Sequence, residues 1–547
     1  MIPSPHGQRA PAFRPVVMGT RGAVACGHPL AAQAGIRTLQ AGGNAADAAV
    51  AIGAALNLVE PNMSGLGGDG FVMVFDQESN RVQVCNGTGA APLRATAERF
   101  RANGIPYKHL LSVSTPGLCD AWLMTHARFG RLKLDEVMAP AIELAEAGFP
   151  VSHKMAAALD DEVPSPTMVP FTREVFSREG RPLRAGEICR NPNLAQTLRR
   201  LACEGRDAFY TGPIARAIVE FSDQLGGLLS LDDFARHRSC WQEPITTTYR
   251  GHTVYEAPPN SSGHVLLQML NLIEPFELSA LDEDDRIHVM TEAKRLAFAD
   301  REAYLADPEF VEVPVEQLIS KAYAAERMKL IEPSRAMTQV ECGTPQGREA
   351  REDTTCFVVI DRWGNAVCQL QSIQTSWGSG LIAGETGILL NNRMTYWHLD
   401  EGHVDCLVGG KRVRHTMNPV MVFDQRGQLV YALGTPGADT QVQTNLQMLA
   451  HLIDFGLNPQ EAIESPRWRH IGVGTESDFP HGDVTELRLE ARFAPATING
   501  LRDKGHAVIV IGDWEATGSE MIVQRQPETG ALWAGADPRR DGYALAW

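Results

Sequence analysis

An α+β fold, or a layered α/β/α arrangement, is what this 547-residue chain predicts, and three observations carry that reading. Three stretches repeat an apolar run, a polar tight turn and a second apolar run, which is hairpin chemistry. Longer segments between them carry apolar residues at helical spacing. The hairpin that begins at Thr354 is apolar on nearly every residue of both runs (FVVI, AVCQL), so its sheet should lie between two layers. Strands joined by hairpins and separated by helices make an antiparallel sheet packed with helices.

In chain order, the first 17 residues hold no apolar core of the kind a secretory signal needs. Leu30 to Leu56 is alanine-rich and reads as helix broken near Gly42-Gly43. The longest apolar run, Ala48 to Val59, contains Gly53 and Asn57 and is too short to span a bilayer. Gly70 to Gly87 is the first hairpin, and His264 to Ile273 and Ile287 to Leu305 are helical. Residues 331–350 are polar, hold two prolines and two glycines and lack periodicity, as a surface loop does. That loop runs through Arg351-Glu352-Asp353 into Thr354-Thr355, where a buried strand begins at once. The pattern fits both a long loop entering an ordinary strand and a processing site. Pro419 to Gly434 is the third hairpin, and Asn445 to Phe455 is helical again.

Lys plus Arg number 50 and Asp plus Glu 66, a net charge of −16, which argues against binding a phosphate backbone. With 44% hydrophobic and 21% charged residues the chain is globular, not disordered. Its ten cysteines form no C-x-x-C and no zinc-finger spacing, and scattered single cysteines fit a reducing compartment. A soluble, cytoplasmic protein without nucleic-acid or membrane partners is expected. Gly65-Leu66-Gly67-Gly68-Asp69-Gly70 matches G-x-G-x-x-G, but helix precedes it and strand follows, the reverse of a dinucleotide site. It reads as a turn that lets backbone approach something closely. Gly378-Ser379-Gly380 lacks the glycine of a nucleophile elbow. The sixteen histidines form no cluster along the chain, and His288 with Glu292 reads as a helix-surface pair. No metal or organic cofactor is expected.

Several spaced motifs, in order, resemble the γ-glutamyltranspeptidase family over almost the whole chain. They are Ala41-Gly42-Gly43-Asn44-Ala45-Ala46-Asp47 with Glu60-Pro61 and the Gly65–Gly70 turn, and Pro258-Pro259-Asn260-Ser261-Ser262-Gly263. Further along come Glu292-Ala293-Lys294-Arg295-Leu296-Ala297-Phe298-Ala299-Asp300-Arg301 and Asp353-Thr354-Thr355-Cys356 with its following strand. Gly387-Ile388-Leu389-Leu390-Asn391-Asn392 and Gly434-Thr435-Pro436-Gly437-Ala438 complete the set.

That resemblance implies an N-terminal-nucleophile (Ntn) hydrolase with a four-layer αββα sandwich built from both halves of a self-cleaved precursor. The cut falls between Asp353 and Thr354. Residues 1–353 become the large subunit and 354–547 the small one, and the two stay associated. A homo-oligomer is left open. A chain that starts with threonine carries nucleophile and base in one residue, because its free α-amine has a reference pKa of about 7.7–8.0 and can take the hydroxyl proton. By the same resemblance Ser372, eighteen positions on, supports the nucleophile where the family has threonine, and Gly437-Ala438 supplies the oxyanion hole. The family has two glycines there; Ala438 serves if its φ is negative. Cys356 stands where the family usually has histidine.

Departures from the family bear on the substrate. The arginine and aspartate that hold a γ-glutamyl head group align with Thr88 and Tyr396, and a Ser-Ser pair aligns with His415-Thr416. Losing a buried charged partner costs about 2–5 kcal/mol, so three losses fit a glutathione hydrolase poorly. Arg393, His415 and Thr416 resemble instead the branch that includes oxamate amidohydrolase, and Gln374 joins them as a substrate-side residue. Arginine presents a planar fork suited to a carboxylate. The bland alternatives are a salt bridge between the halves for Arg393 and a satisfied buried histidine for His415. The expected substrate is a small acid amide, with two rivals: a γ-glutamyl hydrolase or transferase with altered recognition, and a non-catalytic binding homologue.

Overall fold

In the computed structural model, which describes residues 12–163, 170–337, 354–472 and 485–547, two seven-stranded antiparallel sheets stack face to face with helices outside both. One sheet runs Tyr543–Ala546, Gly22–Cys26, Thr355–Asp361, Ala366–Ser372, Asp69–Asp76, Arg81–Gly87 and Cys240–Gln242. The other runs Val17–Gly19, Leu532–Ala536, Met521–Arg525, Leu429–Gly434, Val420–Phe423, His252–Glu256 and Ile245–Tyr249. Each draws strands from both sides of residue 354, so neither half of the chain completes a sheet alone.

Strand alternation builds the layers. In Thr355–Asp361, Cys356, Val358 and Ile360 join Phe71, Met421 and Val523 in a core between the sheets. Phe357 and Val359 point the other way, into a core with the helices Pro29–Gln40 and Ala45–Val59. The second sheet buries Val254, Val422 and Leu433 against the helices Gly263–Ile273, Glu283–Tyr304 and Gln441–Leu449. This is the αββα sandwich, and its double-sided burial is why the central hairpin lacks polar alternation.

All three expected hairpins are present. The helix break at Gly42-Gly43 is real: Asn44 caps the second helix in a reciprocal box with Asp47, and Asp361 Oδ2 accepts the Ala45 N–H at 3.0 Å. The Asn-Ala-Ala-Asp signature therefore docks a helix start onto the turn of the central hairpin. The helix expected from Asn445 begins earlier, at Gln441, and ends in a wider π turn over Ala450–Asp454. Among the described residues no helix is long and apolar enough to cross a membrane. Residues 338–353, with the expected cut at Asp353, lie outside the described residues.

Two expectations are corrected. His288 and Glu292 are not a surface pair but are fully buried, because Glu283–Tyr304 is covered on several sides. The histidines also cluster in space: His288 Nδ1 lies 2.8 Å from His506 Nε2, and the rings of His398 and His403 stack 3.4 Å apart. These contacts join residues far apart in the chain or across a tight loop, where spacing along the sequence gives no sign of them.

Candidate active site

Thr354 sits at the entry to the central strand, 3% exposed, with the even-numbered residues that face the second sheet. The hairpin register pairs Thr355 with Gln371, so the strand ends lie side by side and Thr354 Oγ1 donates to Ser372 Oγ at 3.3 Å. The glycine-rich turn runs against this pair. A Cβ on Gly68 would stand 2.1 Å from the Ser372 carbonyl oxygen, so the close approach expected of that turn is made to the strand carrying Ser372. Cys356, two residues on, is buried between the sheets with its thiol pushed well up by desolvation, an inert packing group.

Pro436 lines the same cleft, and the Gly437-Ala438 turn follows it. Gly437 has φ 115° and Ala438 φ 45°, so the condition of a negative φ set for Ala438 is not met. Both residues are left-handed, which explains a glycine pair in the family and leaves this alanine strained. Among the described residues neither N–H donates to an acceptor. Behind the turn, Asp439 pairs with Arg301 on Glu283–Tyr304, giving the arginine of the Phe-Ala-Asp-Arg signature an anchoring role. Left-handed alanine costs about 1–2 kcal/mol and glycine's extra chain entropy about 0.5–1. Ala438→Gly should therefore raise stability by roughly 0.5–1 kcal/mol in denaturant melts, with turnover kept.

Beyond Ser372 lies a buried polar chain. The Gln374 N–H donates to Ser372 Oγ at 2.9 Å, and its Oε1 accepts from Arg393 Nη1 at 2.7 Å. Gln374 holds φ 87°, a strained value for a side-chain-bearing residue. Arg393 Nε donates to Asp69 Oδ2 at 3.0 Å, and Asp69 Oδ1 accepts the Gly89 N–H at 2.9 Å. Asp69 and Arg393 come from opposite sides of residue 354, so a salt bridge between the halves does exist. It leaves Arg393 Nη2 buried and without a partner among the described residues. His415 Nε2 stands 3.5 Å from Asp69 Oδ2, and its Nδ1 has no partner among the described residues. Burial, then the Arg393 charge, bring His415 down to about 4, so it is neutral at pH 7. Burial alone would raise the Asp69 carboxyl, but His415, Arg393 and the Gly89 N–H together hold it below its ordinary value.

The other expected residues flank this group. The Arg393 guanidinium lies 4.9 Å from the Tyr396 ring centroid. Thr416 follows His415 and its carbonyl accepts from Asn418. Thr88 Oγ1 donates to Asn86 at 2.6 Å and accepts from Asn260, so its hydroxyl is engaged away from Arg393. Asn391 ties the glycine turn to Arg393, donating to the Gly67 carbonyl and accepting the Arg393 N–H.

Sequence reasoning missed Asp69, Glu60 and Arg540. Glu60 Oε2 accepts from Thr355 Oγ1 at 2.7 Å, and Arg540 reaches the Thr354 carbonyl. Asp69 had a signal, an acid closing a glycine turn, which was read only for backbone freedom. Two groups could offer ligands to a metal, His288 with Glu292 and His506, and Glu302 with His398 and His403. Their carboxylates already serve Arg295 and the Met337 N–H, and Arg301 and Arg414. Neither group lines the Thr354 cleft.

Comparison with known proteins gives a family model described as Gamma-glutamyltranspeptidase, matching residues 31–547. The glutathione hydrolase-like YwrD proenzyme of Bacillus subtilis is 38% identical over 97% of this chain and 99% of its own. The oxamate amidohydrolase proenzyme of Klebsiella pneumoniae is 33% identical over 97% and 99%. Among solved structures, the cephalosporin acylase from Bacillus halodurans superposes with a TM-score of 0.90 at 36% identity, covering 100% of this chain and 99% of the other.

Proposed function

The chain belongs to the gamma-glutamyltranspeptidase family of Ntn-hydrolases that act on amide bonds, and from that premise we propose that it is a self-processing amidohydrolase with Thr354 as nucleophile and a small, oxamate-like acid amide as substrate. In the precursor, Thr354 Oγ attacks the Asp353 carbonyl carbon, the peptide shifts from N to O, and water hydrolyses the resulting ester. Residues 1–353 then form the large subunit and 354–547 the small one, paired through the shared sheets.

The mature enzyme uses the freed α-amine. It takes the Thr354 hydroxyl proton as Oγ attacks the substrate amide, with Ser372 orienting that hydroxyl. The tetrahedral oxyanion is met by the Gly437 and Ala438 N–H groups. Collapse returns the proton to the leaving amine and leaves an acyl ester on Thr354. Water then enters with the amine again as base, and the free acid departs.

One observation carries the substrate: a buried guanidinium edge, Arg393 Nη2, without an acceptor among the described residues and beside a neutral histidine. Such an edge suits a carboxylate. The paired Asp69 gives the γ-glutamyl rival one supporting feature, an anion beside the cation where a zwitterion could bind. A panel of oxamate, glutaryl amides and γ-glutamyl-p-nitroanilide separates the two. Turnover of the first class is expected to dominate, and turnover of the γ-glutamyl anilide alone would refute the substrate assignment. A cytoplasmic setting is part of the same proposal, on the scattered spacing of the ten cysteines.

A further inference from the structure

The cleft at Thr354 is lined by an acidic and a basic side chain that the steps above leave unused: Glu60 and Arg540. Glu60 caps the helix Ala45–Val59 and is 8% exposed. Its Oε2 accepts from Thr355 Oγ1 at 2.7 Å, and a Cβ on Gly27 would fall 2.4 Å from that oxygen, so Gly27 makes room for the carboxylate. Arg540 Nη1 stands 3.5 Å from the Thr354 carbonyl oxygen and 3.1 Å from Met63 Sδ. Its backbone is fixed from below. Arg539 donates to Glu490 at 2.7 and 2.8 Å and to Asp537 at 3.2 Å, and Asp537 also pairs with Arg467 at 2.8 Å, all in the buried interior.

A residue's own nitrogen lies within about 3.6 Å of its carbonyl oxygen, so the Arg540 charge stands within roughly 7 Å of the Thr354 nitrogen. We infer that Arg540 and Glu60 act as an opposed pair of charges that sets the protonation of the Thr354 α-amine, Arg540 favouring the free base and Glu60 the ammonium. Both are positioning residues, and the inference rests on Thr354 being nucleophile and base. Of the other titratable groups nearby, Cys26, Cys356 and His28 are uncharged at neutral pH. Burial keeps the Cys26 and Cys356 thiols protonated and lowers His28, at the end of Gly22–Cys26, to about 4. Asp541, beside Arg540, acts on His28. The free-base form is the active one, so activity rises with pH through the amine's midpoint, and a cation beside it moves that rise to lower pH.

The test titrates the amine directly, by pH-dependent acetylation of the small chain's N-terminus read by mass spectrometry, beside the pH profile of kcat/KM. Arg540→Gln should raise both midpoints by about one pH unit, Glu60→Gln should lower them by about as much, and Arg540→Lys should hold the wild-type value. At a pH one unit below the wild-type midpoint, Arg540→Gln then loses several-fold more activity than on the alkaline plateau. Should Arg540→Gln stay uncleaved, the downward shift in Glu60→Gln decides alone. Correctly processed variants with unmoved midpoints overturn the inference and leave the nucleophile assignment standing. A wild-type small chain that begins at a residue other than Thr354 overturns both.

Discussion

Thr354→Ala is expected to leave a single 59.7 kDa chain where the wild type resolves into two, and to abolish amide turnover. The size of the effect follows from the two tasks proposed for this one residue. Without the hydroxyl there is no attack on the Asp353 carbonyl, so no α-amine is released; without the amine no base exists for any other nucleophile. Losing a nucleophile alone typically costs a factor of about 10³ or more, and here the base is lost with it. Thr354→Ser keeps the hydroxyl and should process, more slowly, because the β-methyl no longer restricts its rotamer beside Ser372. Denaturing electrophoresis and intact mass spectrometry read both variants. Wild-type material that stays whole yet turns over amide would sink the mechanism, and a whole, inactive wild type would favour a non-catalytic role.

What could be read from the residues follows a physical divide. Local patterns set the hairpins, the helix break at Gly42-Gly43 and the two-faced burial of Thr355–Asp361, because turn chemistry and side-chain alternation act over a few residues. Ser372 was reached only through the family resemblance, and the register of the hairpin now gives the physical reason it stands beside Thr354. Asp69 was not reached at all. Its bond to Arg393 joins positions 324 apart, and only the folded sheets bring them together. Arg540 reaches Thr354 from 186 residues away, and His506 meets His288 from 218. The sign of the Ala438 backbone angle, left as a condition by the sequence, was out of reach for a related reason. Alanine prefers negative φ locally, and the Arg301–Asp439 pair and the packed turn override that preference.

Arg393 yields the second large effect, and its neighbours dictate how it must be measured. Its Nε and Nη1 are held by Asp69 and Gln374, so among the described residues Nη2 is the edge left for the proposed substrate carboxylate. Removing a buried hydrogen-bonded charge partner costs about 2–5 kcal/mol, which in kcat/KM is roughly 30- to 4,000-fold for an acid amide. Arg393→Met also strands the buried Asp69 carboxylate, and an unpaired buried charge of that kind destabilises by about 3–5 kcal/mol. A fall in activity with the acid amide therefore does not by itself separate binding from folding. The ratio of kcat/KM for the acid amide to that for an amide of equal length without the carboxylate does separate them. Arg393→Met combined with Asp69→Asn relieves the stranded charge and should collapse that ratio toward one. Asp69→Asn alone leaves the guanidinium in place and should preserve the preference at some cost in stability. If the double variant keeps the wild-type ratio, Arg393 joins the two halves and does no more, and the carboxylate must be met elsewhere.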